Sequence, residues 1–415
     1  MSYKIALVGL LYDDNLGDPL MVECVERIYK NIAKNKSVDV TFKHVDLYGK
    51  KSEDQIFKRS KIQNITTIPY RMAKKITKKH LEKMYLFFER KLYEIDKSQE
   101  QKVKNYYYEN LNDCDMVVIV GGALIKFRYN RDFYNPLSTL VKVAEDLKVD
   151  VVFNSVGIEN GYNESFATCK IVKSFLNSKS VKLITTRDDF ETLKKYVDNE
   201  ETYIGKTADS ATWYKELFDI KESKNKKVLG ISVISPEKFD QYTDDNKSEQ
   251  YVELITSFIK LLLEKNVKFQ LFTNGHFMDQ RFLESLAAEL QLDSSYITKR
   301  PEKYSEIVEN MLSYHTIIAS RLHSCILGYS LDLPVLGIDW NNKLLFFGQE
   351  IKQPERFFKP DEVSPLDLYD KVMEIKHEKY EPIIRGNYRD TQIKSIERTF
   401  EILSRRKNEV DYYLK

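Results

Sequence analysis

The chain has 415 residues, 42% of them hydrophobic, which suits two globular units with ordinary cores. Its 65 Lys and Arg against 63 Asp and Glu give a formal net charge of +2, so composition excludes a global electrostatic case for nucleic-acid binding. Four dispersed cysteines (Cys24, Cys114, Cys169, Cys325) show no metal-ligand or disulfide spacing, and no apolar run approaches the ~20 residues of a membrane span. Thiols of this kind, and a first strand beginning by Tyr3 where a leader would stand, predict a cytosolic protein.

In chain order, short apolar runs alternate with amphipathic helical stretches. The runs are Ile5–Val8, Met116–Val120, Val149–Ser155 and Lys182–Thr186, then Val228–Ile234, Lys268–Thr273, Thr316–Ala319 and Val335–Ile338. This alternation predicts an α/β protein of two Rossmann-like domains facing a cleft. The polar stretch Lys221–Lys227 is the natural break, giving an N-terminal domain over residues 1–220 and a C-terminal domain over 228–350. A Lys-, Tyr- and Glu-rich segment over about 50–112 reads as a helical insertion, and residues 351–415 as a helical tail with helices near 366–376 and 391–405. Within the insertion, residues 71–88 read as a basic amphipathic helix, which can be a solvated helix of its own domain or lie on an anionic membrane.

The chemistry gathers where strands end. After the first strand comes Asn15-Leu16-Gly17-Asp18, in which Gly17 permits a tight turn and Asp18 can cap the next helix. Gly121-Gly122 follows Met116–Val120 and lets a ligand or loop approach the backbone. Arg187-Asp188 follows Lys182–Thr186: the arginine fork can clamp a carboxylate or phosphate or pair with Asp188 or Asp189, while Asp188 opens a helix. Asp209 is another strand-end carboxylate suited to an N-cap, and His276 follows Lys268–Thr273. The strongest signal is Ser320-Arg321-Leu322-His323, with Lys343 after the next strand. Three potential cations at neighbouring strand ends suit a substrate with several negative charges. There is no GxGxxG or GxxxxGK[ST] fingerprint.

In this order, Asn15-Leu16-Gly17-Asp18, Gly121-Gly122-Ala123-Leu124, Gly157, Arg187-Asp188, Asp209, Arg321-Leu322-His323, Pro334 and Lys343 resemble the polysaccharide pyruvyl transferase family. Two positions depart from its usual pattern: Ala123 replaces a third glycine, and Glu191 stands where a serine is common. The resemblance implies a GT-B-like fold, phosphoenolpyruvate as donor, and a sugar diol of a surface glycan, nucleotide-linked or lipid-linked, as acceptor. The expected product is a cyclic pyruvate ketal. Arg321 and Arg187 are then the expected clamps, His323 a general acid or phosphate ligand, Lys343 a phosphate holder and Asp18 the base. No metal or further cofactor is expected. The protein would work in the cytosol or peripherally at the inner membrane face. The alternatives are a GT-B glycosyltransferase using a nucleotide sugar and a non-catalytic glycan- or partner-binding relative.

Overall fold

The computed structural model describes residues 2–50, 97–127, 133–159, 161–223, 226–242 and 247–413. The basic stretch over 71–88 and most of the expected insertion lie outside them. Among the described residues no helix is long and apolar enough to cross a membrane.

Two parallel sheets organise the chain. The first holds β1 (Ser2–Gly9), β2 (Asp39–Asp46), β3 (Met116–Val120), β4 (Asp150–Val156), β5 (Val181–Thr186) and β6 (Tyr203–Lys206) in the order β2-β1-β3-β4-β5-β6. The central β3, Met116-Val117-Val118-Ile119-Val120, is apolar and buried along its whole length, because helices cover both faces. Those helices include α1 (Gly17–Asn35), α2 (Lys97–Leu111), α3 (Tyr134–Asp146), α4 (Ala167–Leu176) and α5 (Phe190–Tyr196). A short α6 (Tyr214–Leu217) leads towards the second unit.

The second sheet holds β7 (Val228–Ser232), β8 (Phe269–Phe272), β9 (Tyr314–Ala319), β10 (Val335–Ile338) and the two-residue β11 (Phe357–Phe358), in the order β11-β10-β9-β7-β8. Its helices are α7 (Glu237–Tyr242), α8 (Lys247–Glu264), α9 (Phe277–Glu289), α10 (Tyr304–Met311), α11 (Leu322–Ser330), α12 (Lys343–Glu350) and α13 (Pro365–Ile375). The eight apolar runs each carry a strand. β2, β6 and β11 were not read from the sequence, because each lies towards or at a sheet edge and lacks a continuous apolar run.

Strand order reverses between β1 and β3 in the first sheet and between β7 and β9 in the second. A crevice opens at the carboxyl ends of strands at such a reversal. Here the two crevices face one another. The amide of Leu16, after β1, donates to the carbonyl of Asn274, after β8, at 3.1 Å. The amide of Phe277 donates to Asp14 Oδ2 at 3.2 Å.

The final helices divide between the two units. Helix α13 buries Leu368, Val372 and Ile375 in the core of the second sheet. Helix α14 (Pro382–Tyr413), far longer than the stretch read from the sequence, returns to the first and packs Ile396, Phe400 and Leu403 with β1, β3 and α1. Its polar face is also buried: Gln392 Nε2 donates to Asn154 Oδ1 at 2.6 Å, and Thr391 Oγ1 accepts from the Ala208 amide at 2.8 Å.

Candidate active site

A buried cluster lies where the two crevices meet. Arg187 leaves the end of β5 with its side chain 4% exposed and forms an ion pair with Asp209, itself 1% exposed. Asp209 has a second task, capping a short 3-10 turn by accepting from the Ala211 amide at 2.8 Å. Of the alternatives open to Arg187, pairing with Asp188 or Asp189 is not the one found; its partner is Asp209. Asp188 turns back to accept from the Ile158 amide at 2.8 Å and from Thr186 Oγ1 at 3.0 Å. It does not open the following helix either, since Asp189 caps α5 through the Thr192 amide. Burial holds the Asp188 carboxyl above its ordinary range.

His323 enters from the other domain as the second residue of α11. Its Nε2 lies 3.3 Å from Arg187 Nη1 and 3.7 Å from Asp209 Oδ2. A guanidinium only donates, so Nε2 accepts and the ring proton sits on Nδ1. Burial and the charge of Arg187 agree with that tautomer, lowering the imidazole to about 4 despite Asp209. His323 is neutral at pH 7.

Gly17 is the first residue of α1, and a Cβ there would meet His323 Nδ1 at 2.0 Å. No side chain but hydrogen fits between the ring and this helix terminus. Asp18 does not cap α1 as expected. Its Oδ1 accepts from the Gly122 amide at 2.8 Å and its Oδ2 from Asn15 Nδ2 at 2.8 Å, tying the β1 and β3 turns together. Gly122 is required for that approach, since a Cβ there would lie 2.6 Å from Asp18 Oδ1. Gly121, before it, completes the turn. Neither α1 nor α11 has a side-chain cap, so their amino ends contribute positive potential at the same place.

The remaining predicted residues surround this centre. Arg321 holds a bidentate pair with Asp279, Nε to Oδ2 at 2.7 Å and Nη2 to Oδ1 at 2.8 Å. His276 faces the same carboxylate, its Nδ1 3.8 Å from Asp279 Oδ1, and caps α9 by accepting from the Met278 amide. Lys343 opens α12, where Asp339 accepts from the Asn342 and Leu344 amides at 2.6 and 2.9 Å. Its Nζ is 3.6 Å from Glu159 Oε1 across the cleft, and Lys126 Nζ is 3.7 Å from the same oxygen.

The structure thus brings Asn15, Gly17, Asp18, Gly121, Gly122, Arg187, Asp209 and His323 into one centre. It places Arg321 with His276 in a second cluster and Lys343 in a third. Asp279, Glu159 and Lys126 escaped the sequence reading. Glu159 stands two residues past the strand-end Gly157, a position that could have flagged it, whereas Asp279 lies inside a helix without any motif. Among the described residues no group of His, Cys, Asp and Glu is arranged to hold a metal ion.

Two facing α/β units with a charged cluster at both switch points define a GT-B-like enzyme. Solved structures share that fold. UDP-GlcNAc 2-epimerase from Methanocaldococcus jannaschii superposes with a TM-score of 0.55 at 12% identity, covering 97% of this chain and 99% of its own. A UDP-N-acetylglucosamine 2-epimerase, described as putative, from Listeria monocytogenes gives 0.55 at 9%, covering 99% and 98%. The S. aureus MnaA–UDP complex gives 0.53 at 12%, covering 99% and 97%. No curated protein matches the sequence. The family model for polysaccharide pyruvyl transferase matches residues 15–342, and the chain belongs to that family. It is a transferase of pyruvyl groups, with a sugar or polysaccharide as acceptor.

Proposed function

We propose that the chain transfers the pyruvyl group of phosphoenolpyruvate to two hydroxyls of one sugar, forming a cyclic ketal and releasing phosphate. The observation that carries this reading is the meeting of Arg187 and His323, from opposite domains, at two uncapped helix amino ends. Such a place suits a doubly charged phosphate, because helix amides and a guanidinium bind tetrahedral oxyanions without needing to be reorganised. Lys343, paired with Glu159 in the neighbouring cluster, is close enough for its charge to act on His323.

The residues then have consistent tasks. One acceptor hydroxyl adds to C2, the C2–O bond to phosphorus breaks with its electron pair leaving on phosphate, and the second hydroxyl closes the ring. Of the two hydroxyl protons, one ends on C3 as part of a methyl group and the other leaves with phosphate. His323 starts neutral and bound phosphate raises its proton affinity, so it can accept a hydroxyl proton and return it within one cycle. Asp18, the base expected from the sequence, accepts a hydrogen bond on each carboxylate oxygen and holds the two turns in register.

The acceptor is expected to be nucleotide-linked or lipid-linked. The M. jannaschii epimerase with the same fold has been solved in complex with UDP-GlcNAc and UDP, which favours trying nucleotide-linked sugars first. The test is thermal stabilisation of the full chain by phosphoenolpyruvate and, separately, by nucleotide sugars, since a ligand of the native state raises the melting temperature. A phosphoenolpyruvate shift that His323→Ala abolishes supports the transferase reading. A shift with nucleotide sugars alone moves the chain to glycosyl transfer, and no shift with either favours a non-catalytic relative.

A further inference from the structure

The cluster around Arg321 differs in kind from the buried centre. Arg321 follows β9 and is the N-cap residue of α11, yet its side chain does not cap that helix. Instead Nε and Nη2 are both committed to Asp279, whose side chain has no exposed surface. Asp279 sits in the first turn of α9 and also accepts from the Ser235 amide, just past β7, at 3.0 Å. One carboxylate therefore ties α9, the end of β7 and the end of β9 together at the switch point. Burial would lift this acid, but Arg321 and His276 outweigh it and hold it below the ordinary carboxylate value.

A guanidinium held through Nε and Nη2 cannot swing, and it presents its remaining Nη1 edge in a single orientation. Its charge is already matched by one carboxylate. Held to Asp279 in this way, Arg321 retains the planar fork that matches a singly charged carboxylate. The doubly charged end of a donor belongs at the helix amino ends beside Arg187 and His323.

From this difference we infer that Asp279 is a positioning residue which, by fixing Arg321, decides recognition of the donor's carboxylate and leaves recognition of its phosphate untouched. The inference rests on the donor reading above. Asp279 touches no reacting atom in this account and acts through Arg321 alone.

The experiment is calorimetric titration of the full chain with phosphoenolpyruvate and with inorganic phosphate, for wild type, Asp279→Asn, Arg321→Gln and the double variant. Asp279→Asn should weaken phosphoenolpyruvate binding by about ten-fold or more, the scale of one charge-assisted hydrogen bond, while phosphate affinity stays within about two-fold. The double variant should match Arg321→Gln, because a residue that acts through another adds nothing once that other is gone. Equal loss of both ligands in Asp279→Asn would show general damage and overturn the inference, as would unchanged phosphoenolpyruvate affinity. Should Asp279→Asn alone not fold, the double variant, with both partners neutral, carries the comparison: weaker phosphoenolpyruvate binding than Arg321→Gln overturns the inference, and equal binding supports it. A wild type that binds phosphate but not phosphoenolpyruvate overturns the donor reading and this inference with it.

Discussion

The two arginines of the cleft follow strands in the same way but are held differently. Arg187, after β5, is buried among Asp209, Asp188 and Asp18, and these carboxylates outweigh burial to raise its proton affinity. Arg321, after β9, is three times as exposed, at 12%, and answers to one carboxylate. Each Asp neutralises a cation, but only in the deep cluster would loss of the cation strand several buried carboxylates together. The deep arginine is therefore bound more tightly into the fold than the rim arginine.

Removing each arginine is the most direct way to break that contrast. Arg187→Ala should destabilise the chain by roughly 3–5 kcal/mol, the scale for breaking a buried ion pair. Arg321→Ala, leaving one carboxylate that keeps its bond from the Ser235 amide, should cost about 1–3 kcal/mol. Urea denaturation midpoints of both variants decide it, and equal losses would erase the distinction between depth and rim.

Acid sharpens the contrast next. His323 has a folded value of about 4 against an ordinary 6.5, so the unfolded chain binds more protons between those values. The stability contributed by neutral His323 is fully present above pH 6.5 and is lost as pH falls towards 4, to a total of roughly 3 kcal/mol. His276 at the rim is lowered to about 4 as well, by burial and then Arg321, with Asp279 opposing, so its loss runs in the same direction. Stability measured against pH should flatten across this window in His323→Gln relative to wild type. An unchanged slope would mean that the imidazole is not held neutral by its surroundings.

The smallest effect concerns the contact between domains. Gly17→Ala puts a methyl group 2.0 Å from His323 Nδ1, so the ring or α1 must move, at about 1–3 kcal/mol for overpacking. Transfer activity should fall further than stability, because the displaced ring is the proposed proton carrier. Gly386→Ala, inside α14 where an added Cβ meets nothing within 4 Å, is the contrasting control: it should leave activity unchanged and raise stability by up to about 1 kcal/mol.

Much of the frame was legible. The runs that became β3 and β10 carry no polar side chain because strands of a covered parallel sheet are buried on both faces, and such a run needs no partner to be recognised. The turns at Asn15–Asp18, Gly121–Gly122, Arg187 and His323 were legible for a related reason: Gly, Asp, Arg and His in the loop that follows an apolar run depart from the pattern that packing alone requires. β2 was missed because its first half is polar and partly exposed, so alternation replaces the run. The roles of Asp18 and Asp188 were misread as helix caps, since local spacing cannot show a carboxylate turning towards a strand end elsewhere in the sheet.

The sequence by itself determined the class of the fold and the edge of each sheet at which the charged residues gather, because strand and turn preferences are local. Tertiary structure decided which carboxylate holds which cation. Arg187 meets Asp209 across 22 residues and His323 across 136, and Arg321 meets Asp279 across 42. Such pairings are fixed by how two crevices are pressed together and by the need to neutralise every buried charge, and neither is written in the neighbours of any one residue.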